Sequence, residues 1–250
     1  MKEGTEALDD RKSVVLRAVV SDHIEIGEPV GSGAVVRRHR LGVSAATIRN
    51  DMGVLTEMGY LVQPHTSAGR IPTDLGYRFY VDALPRWPSL PSRQERTIAP
   101  FLKQPPPELS DVVRRAAVLL SRLTQYGAVA QPPQSTHMVI GGAANIVSEE
   151  SFERRETVRR LLEALEEEEA VLGLLRGLAG EGEVVVRIGR ENPVAAMREA
   201  SLVVSAYRVG SVAVGAIAVI GPTRMHYPEA ISAVRSVSRH LSRAVEALAG

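Results

Sequence analysis

The sequence predicts an α+β chain in two parts. Three observations carry this. Residues 9–84 show helical periodicities followed by a short strand, a polar loop and a further helix. Residues 85–107 are rich in proline. Beyond them, segments of β-branched residues alternate with amphipathic helices. A chain of 250 residues can bury a sizeable core and suggests one or two domains.

The first helix is expected over residues 9–26, with Asp9 or Asp10 as its cap, Val14, Val15, Ala18, Val19 and Ile26 near helical spacing, and Gly27 at its end. The segment GEPVGS then turns the chain. Ser32 is placed as the N-cap of a second helix reaching His39 and stopped by Gly42. Ser44 caps a third helix, which ends at a left-handed Gly59. Ile48, Met52 and Leu55 recur at i, i+4, i+7 and should be buried. Ala46, Asn50 and Gly53 point the opposite way, with Thr47 and Arg49 on the flanks.

A strand at Leu61–Gln63, the loop PHTSAGR and a helix from Thr73 or Asp74 to Leu84 follow. This order is that of a winged helix-turn-helix. A third helix with small residues at its start and donors behind them can approach a major groove and read base edges. The loop is wing-sized, and its hydroxyls and arginine suit phosphate or minor-groove contact. The candidate DNA-facing residues are Ser44, Ala45, Ala46, Thr47, Arg49 and Asn50 on the helix, and His65, Thr66, Ser67 and Arg70 on the wing. Plainer readings stand beside these. Arg49 could pair with Asp51, and His65 could be a solvated loop histidine. Tyr77, Phe79 and Tyr80 read as packing groups rather than base-stacking ones.

Charge adds little on its own. The net charge is +1, but residues 29–80 carry six arginines (37, 38, 40, 49, 70, 78) against three acids, Asp51, Glu57 and Asp74. The skew of 27 Arg to 3 Lys is first explained by a GC-rich genome. With no cysteine, disulfides, thiolate chemistry and cysteine-ligated zinc are excluded. The six histidines (23, 39, 65, 137, 226, 240) lack metal spacing, and IGGAAN does not cradle phosphate, so an enzyme is not expected. No cofactor is expected either. No run approaches the ~18 apolar residues of a membrane span. The start MKEGTEALDDRKS has no signal-peptide core, which leads to the expectation of a cytoplasmic protein without membrane contact.

In the second part, the proline-rich stretch suggests a linker at 85–109, with room for a short helix Arg93–Ala99 that Pro100 should end. Ser110 is placed as the cap of the helix DVVRRAAVLLSRLTQY, whose apolar stripe could pack on a dimer mate. MVIGGAANIV reads as strand, glycine turn and helix start. One long helix is expected over Thr157–Leu178, with Glu163 and Glu166–Glu169 on its solvated face. Three strands are expected at 183–189, 201–207 and 212–221, with Ser205–Ser211 as a hairpin loop. A last helix follows Pro228.

The runs GEPVGS (27–32), SAATIRNDM (44–52), LTEMGYLVQPHTSAGRIPTDLGYRFYVD (55–82) and IGPTRMHY (220–227) resemble the heat-inducible transcription repressors of the HrcA family. The N-terminal resemblance is nearly continuous over residues 8–84. It implies a winged-helix domain at 1–84 and, over 110–250, a GAF-like dimerisation domain. It also implies negative regulation of chaperone operons, exerted by a homodimer on an inverted-repeat, double-stranded operator and maintained by the chaperonin GroEL. The family's usual long segment between the positions of Ala130 and His137 is reduced here to QPPQST, either as a natural shortening or as an internal deletion. A reduced domain would leave an exposed sheet edge or apolar face. The last helix and helix 110–126 are then expected to supply a replacement interface. Because GAF domains often bind small molecules, a small-molecule-responsive winged-helix regulator is the alternative function.

Overall fold

The computed structural model describes residues 8–84, 89–103, 108–148 and 155–249. The chain divides into two compact units, Met1–Leu84 and Pro85–Gly250. Pro85, Pro88 and Pro105–Pro107 of the expected linker lie outside the described residues.

The first unit runs α1 (Asp10–Ile26), α2 (Ser32–His39), α3 (Ala45–Glu57), β1 (Leu61–Val62), β2 (Ile71–Pro72) and α4 (Asp74–Asp82). The Asp9 side chain accepts from the Lys12 amide to open α1, and left-handed Gly27 closes it on the His23 carbonyl. The core is apolar: Val15, Leu16, Val19, Val35, Ile48 and Leu55 are all fully buried. His23 and Tyr77, both buried, share a 2.7 Å hydrogen bond that links α1 to α4. Two expectations for α2 need correction. Its cap position is Gly31, with Ser32 already helical, and it ends at Arg40, whose φ is 48°.

The sequence puts Val30 in a turn. It instead pairs with Arg70 across an isolated antiparallel bridge, with amide–carbonyl distances of 2.8 and 2.9 Å, so the small β1–β2 hairpin gains a third strand position.

The second unit contains α5 (Ser92–Leu102), α6 (Leu109–Thr124), β3 (Gly127–Gln131), β4 (Val139–Gly141), α7 (Ala143–Val147), α8 (Arg155–Glu167), α9 (Glu169–Ala179), β5 (Val185–Ile188), β6 (Ala200–Val209), β7 (Val212–Pro222) and α10 (Tyr227–Ala249). Its sheet is antiparallel throughout, in the order β4-β3-β7-β6-β5. Alternation along the strands sorts the two faces. Leu202, Val204, Ala216, Ala218 and Ile220 meet α8 and α9 in one apolar cluster. The residues between them face α10, where the hydroxyls of Ser205 and Ser238 meet at 3.0 Å and those of Ser201 and Tyr227 at 2.8 Å.

Several expectations change here. Glu108, not Ser110, precedes α6. Pro100 sits inside α5 near its end, where only the last turn remains to be disturbed. The expected long helix breaks at Glu168, whose φ is 51°, amid four consecutive glutamates whose like charges disfavour a continuous helix. The hairpin loop expected at Ser205–Ser211 is only Gly210–Ser211, because β6 and β7 pair as far as Val209 and Val212. β3 has no counterpart among the strands expected from the sequence. It pairs with both β4 and β7, so the shortened chain keeps a five-stranded sheet covered by helices on both faces.

The stripe of α6 is also spent within the unit. Val112, Val113, Ala116 and Leu120 are buried, so it is not a spare surface for a second copy. The glycines of IGGAAN serve close packing: a Cβ on Gly141 would lie 2.6 Å from the Ala117 backbone, and Asn145 Nδ2 donates to Ser121 Oγ at 3.0 Å.

Gly215 marks the tightest point of the sheet. Buried Tyr207 donates its hydroxyl to the Gln131 carbonyl at 2.6 Å, and a Cβ on Gly215 would stand 2.3 Å from that hydroxyl and 2.4 Å from that carbonyl. Gly215→Ala should therefore lower stability by about 1–3 kcal/mol through overpacking and loss of this bond. Urea unfolding followed by circular dichroism measures it, and an unchanged midpoint would mean that the strands adjust freely.

Candidate nucleic-acid interface

The candidate interface is built on α3. Ser44 Oγ accepts from the Thr47 amide at 3.1 Å and lies 2.9 Å from the Thr47 hydroxyl, which fixes the first turn. At the far end, Gly59 takes a φ of 79° and its amide bonds the Thr56 carbonyl, while the Tyr60 amide reaches back to Leu55. One face, Ile48, Met52 and Leu55, is buried. The opposite face leaves Ala46, Arg49 and Asn50 exposed, with Ala45 and Thr47 partly so.

Asp51, the nearer of the two acids on α3, is not available to Arg49. Asp51 is 1% exposed and takes a two-point pair from Arg11 of α1, Nε to Oδ2 at 2.8 Å and Nη2 to Oδ1 at 2.9 Å. That pair raises the Arg11 pKa, chiefly through the hydrogen bond to Asp51. Arg37, Arg40 and Arg49 are exposed, and none is ion-paired among the described residues. Arg38 is held by Asp22 at 3.0 Å and Arg78 by Asp82 at 3.2 Å. The six arginines are thus divided between scaffold and free donors.

The hairpin carries the remaining candidates. His65, Thr66 and Ser67 are exposed at its tip, where the Ala68 amide closes a turn on the His65 carbonyl at 2.9 Å. Gln63 Nε2 ties the loop by donating to the carbonyls of Thr66 and Ala68 at 2.9 and 3.0 Å. Arg70 departs from the expectation of a tip residue. It is partly buried, its backbone pairs with Val30, and its Nε donates to Thr56 Oγ1 of α3 at 3.0 Å. It therefore couples the hairpin to the helix and has its terminal nitrogens left for other partners. Tyr77 is buried and Tyr60 meets Phe79 edge-on with centroids 5.9 Å apart, as packing groups.

Sequence reasoning missed Arg11, Gln63, Thr56 and Val30 as supports. Gly69 offered a signal, being the one residue in PHTSAGR without a side chain.

The assembly is a two-unit α+β protein whose first unit displays a donor-bearing helix face and a polar hairpin tied together. Residues 134–231 match the family described as the HrcA protein C terminal domain. The chain is 33% identical over 337 residues to the heat-inducible transcription repressor HrcA of Nocardia farcinica, covering 95% of this chain and 97% of that one. It is 32% identical over 339 residues to the same-named protein of Thermobifida fusca, covering 97% and 98%. The chain belongs to the HrcA family, and negative regulation of heat-shock gene transcription follows from that membership. It is a short member: the Nocardia alignment extends over 337 positions although this chain has 250 residues. A solved structure, titled as a crystal structure of a hypothetical protein at 2.2 Å resolution, shares the fold with a TM-score of 0.85 at 23% identity, over 96% of this chain and 99% of that one. The curated relatives are named as repressors, not enzymes, and among the described residues no helix is long and apolar enough to cross a membrane.

A Cβ at position 69 would lie 2.4 Å from both the carbonyl carbon and oxygen of Val30. Backbone cannot swing aside as a side chain can. Gly69→Ala is expected to break the Val30–Arg70 bridge and cost about 1–3 kcal/mol. Hydrogen exchange at the Arg70 amide reads the first effect and thermal unfolding the second; retained protection at Arg70 would refute the assignment.

Proposed function

We propose that residues 1–84 are a winged helix-turn-helix that binds duplex operator DNA, with α3 in the major groove and the β1–β2 hairpin as the wing. The observation that carries this is the two-sided build of α3: a buried apolar face, an acid neutralised from behind by Arg11, and an outer face left to Ala46, Arg49 and Asn50. Small residues at the helix start permit close approach. Arg49 supplies two donors for the O6 and N7 acceptors of guanine, and Asn50 a donor for adenine N7 with an acceptor for its N6 amino group. Thr47 and Ser44 stand at the N-terminal end of the helix, where phosphate is favoured. The wing tip, His65 to Ser67, and the free end of Arg70 contact the adjacent backbone.

One such helix spans only a few base pairs, so two copies read an inverted repeat, and the GAF-like second unit supplies dimerisation. GroEL maintains the active repressor, and heat stress relieves repression by drawing the chaperonin to unfolded proteins. Family membership supports these steps.

Operator titration tests the DNA contacts. Arg49→Ala should cost about 1–3 kcal/mol on operator DNA and much less on unrelated duplex. Arg70→Ala should weaken both alike and reduce the salt slope by about one. Equal losses on both duplexes for Arg49→Ala would remove it from base reading.

A second titration adds GroEL to repressor previously warmed to reduce its operator binding. Recovery of binding with chaperonin and nucleotide is expected. Full binding retained without chaperonin throughout would exclude chaperonin maintenance.

A further inference from the structure

A groove at the C-terminal end of α10 is unused by the repressor reading. Helix α5 buries Ile98 and Leu102 and ends by Lys103, whereas α10 continues to Ala249. The last turns of α10 are left beside α5 and the start of α6, around a cavity of about 470 Å3. Its floor is Ala99, Leu102, Val112, Ala244 and Leu248, and Leu248 remains 40% exposed. That volume falls within the usual range of small-molecule pockets, about 300–1,000 Å3.

The lining is apolar but its charged groups have one sign. Lys103 and Arg243 line it, both exposed and neither ion-paired among the described residues. His240 also lines it, with Nε2 3.2 Å from Glu95 Oε1. Among the described residues, no carboxylate lines the groove. The opposite side of α10 is committed elsewhere, where Ser242 Oγ accepts from the Arg208 amide at 2.9 Å. An apolar trough with two cations that lack an acid partner among the described residues complements a molecule having an aliphatic body and an anionic head.

We propose that this groove binds an aliphatic carboxylate, the chain lying on Ala244 and Leu248 and the carboxylate held by Lys103 and Arg243. The proposal is independent of how the first unit reads DNA, and its test uses no DNA.

The full chain is titrated calorimetrically with decanoate below micelle formation, beside decyltrimethylammonium and acetate. Saturable binding of decanoate at one site is expected, with at least tenfold weaker binding of the other two. Ala244→Trp, which fills the trough, and the double variant Lys103→Glu/Arg243→Glu should each weaken decanoate at least tenfold, with unchanged far-UV circular dichroism. Should the tryptophan variant not fold, the surface double variant decides alone. Absence of saturable decanoate binding, equal binding of the cationic amphiphile, or undiminished affinity in the double variant would each overturn the proposal.

Discussion

Everything proposed for the first unit depends on one constraint: α3 must be held firmly while its best donors stay unpaired. A helix normally gains stability by satisfying its polar groups, but a reading face satisfied within the protein cannot read. The chain meets this by anchoring α3 from behind and at its ends. The Arg11–Asp51 pair places a two-point contact on the hidden side, and because Asp51 is buried its oxygens cannot turn toward Arg49. Ser44 and Gly59 satisfy the end turns. Arg70 bridges to Thr56 at the last turn, so the hairpin braces the same helix. Each of these devices removes motion without occupying Ala46, Arg49 or Asn50.

How much of this was legible follows from the range of the interactions involved. Local signals were read well. Asp9, Gly27, Ser44, Gly59 and Thr73 are cap residues by their own chemistry, and the i, i+4, i+7 series of α3 states its buried face. Long-range partners were not. Nothing near Asp51 announces Arg11, forty residues earlier, and nothing in GEPVGS announces that Val30 pairs with Arg70. The candidate DNA-facing residues come from pattern and resemblance, and the structure adds which have other duties: Ser44 caps and Arg70 braces, whereas Arg49 has no ion-pair partner among the described residues.

The second unit teaches the same point about strands. GAVAQ has small side chains and no alternation, so it carries little strand propensity of its own. It becomes β3 because β4 and β7 pair with it on both sides, burying all five residues. Tertiary pairing overrides local preference there, and that pairing is what lets a shortened family member retain a closed core. The glycines that looked like loop punctuation are instead contact points. Gly141 meets α6 and Gly215 meets the Tyr207–Gln131 bond, each where a methyl group would collide with fixed atoms. The IGPTRMHY run is similar: buried Tyr227 donates to the Thr223 carbonyl at 2.6 Å, and the His226 amide meets the Tyr126 hydroxyl at 3.0 Å, so its role is to start α10 correctly.

The charge distribution then bears on how repression would be achieved. With a net charge of +1, and with Arg37, Arg40, Arg49 and the terminal nitrogens of Arg70 left without an acid partner among the described residues, one copy has few phosphate contacts to offer. Few contacts release few counterions, so a single copy should bind duplex weakly at physiological salt. Joining two copies makes the second engagement intramolecular and raises occupancy by orders of magnitude without any new contact. Repressor activity would then be governed chiefly by whether two competent copies are joined, and any partner that preserves folded second units would control operator occupancy without touching α3.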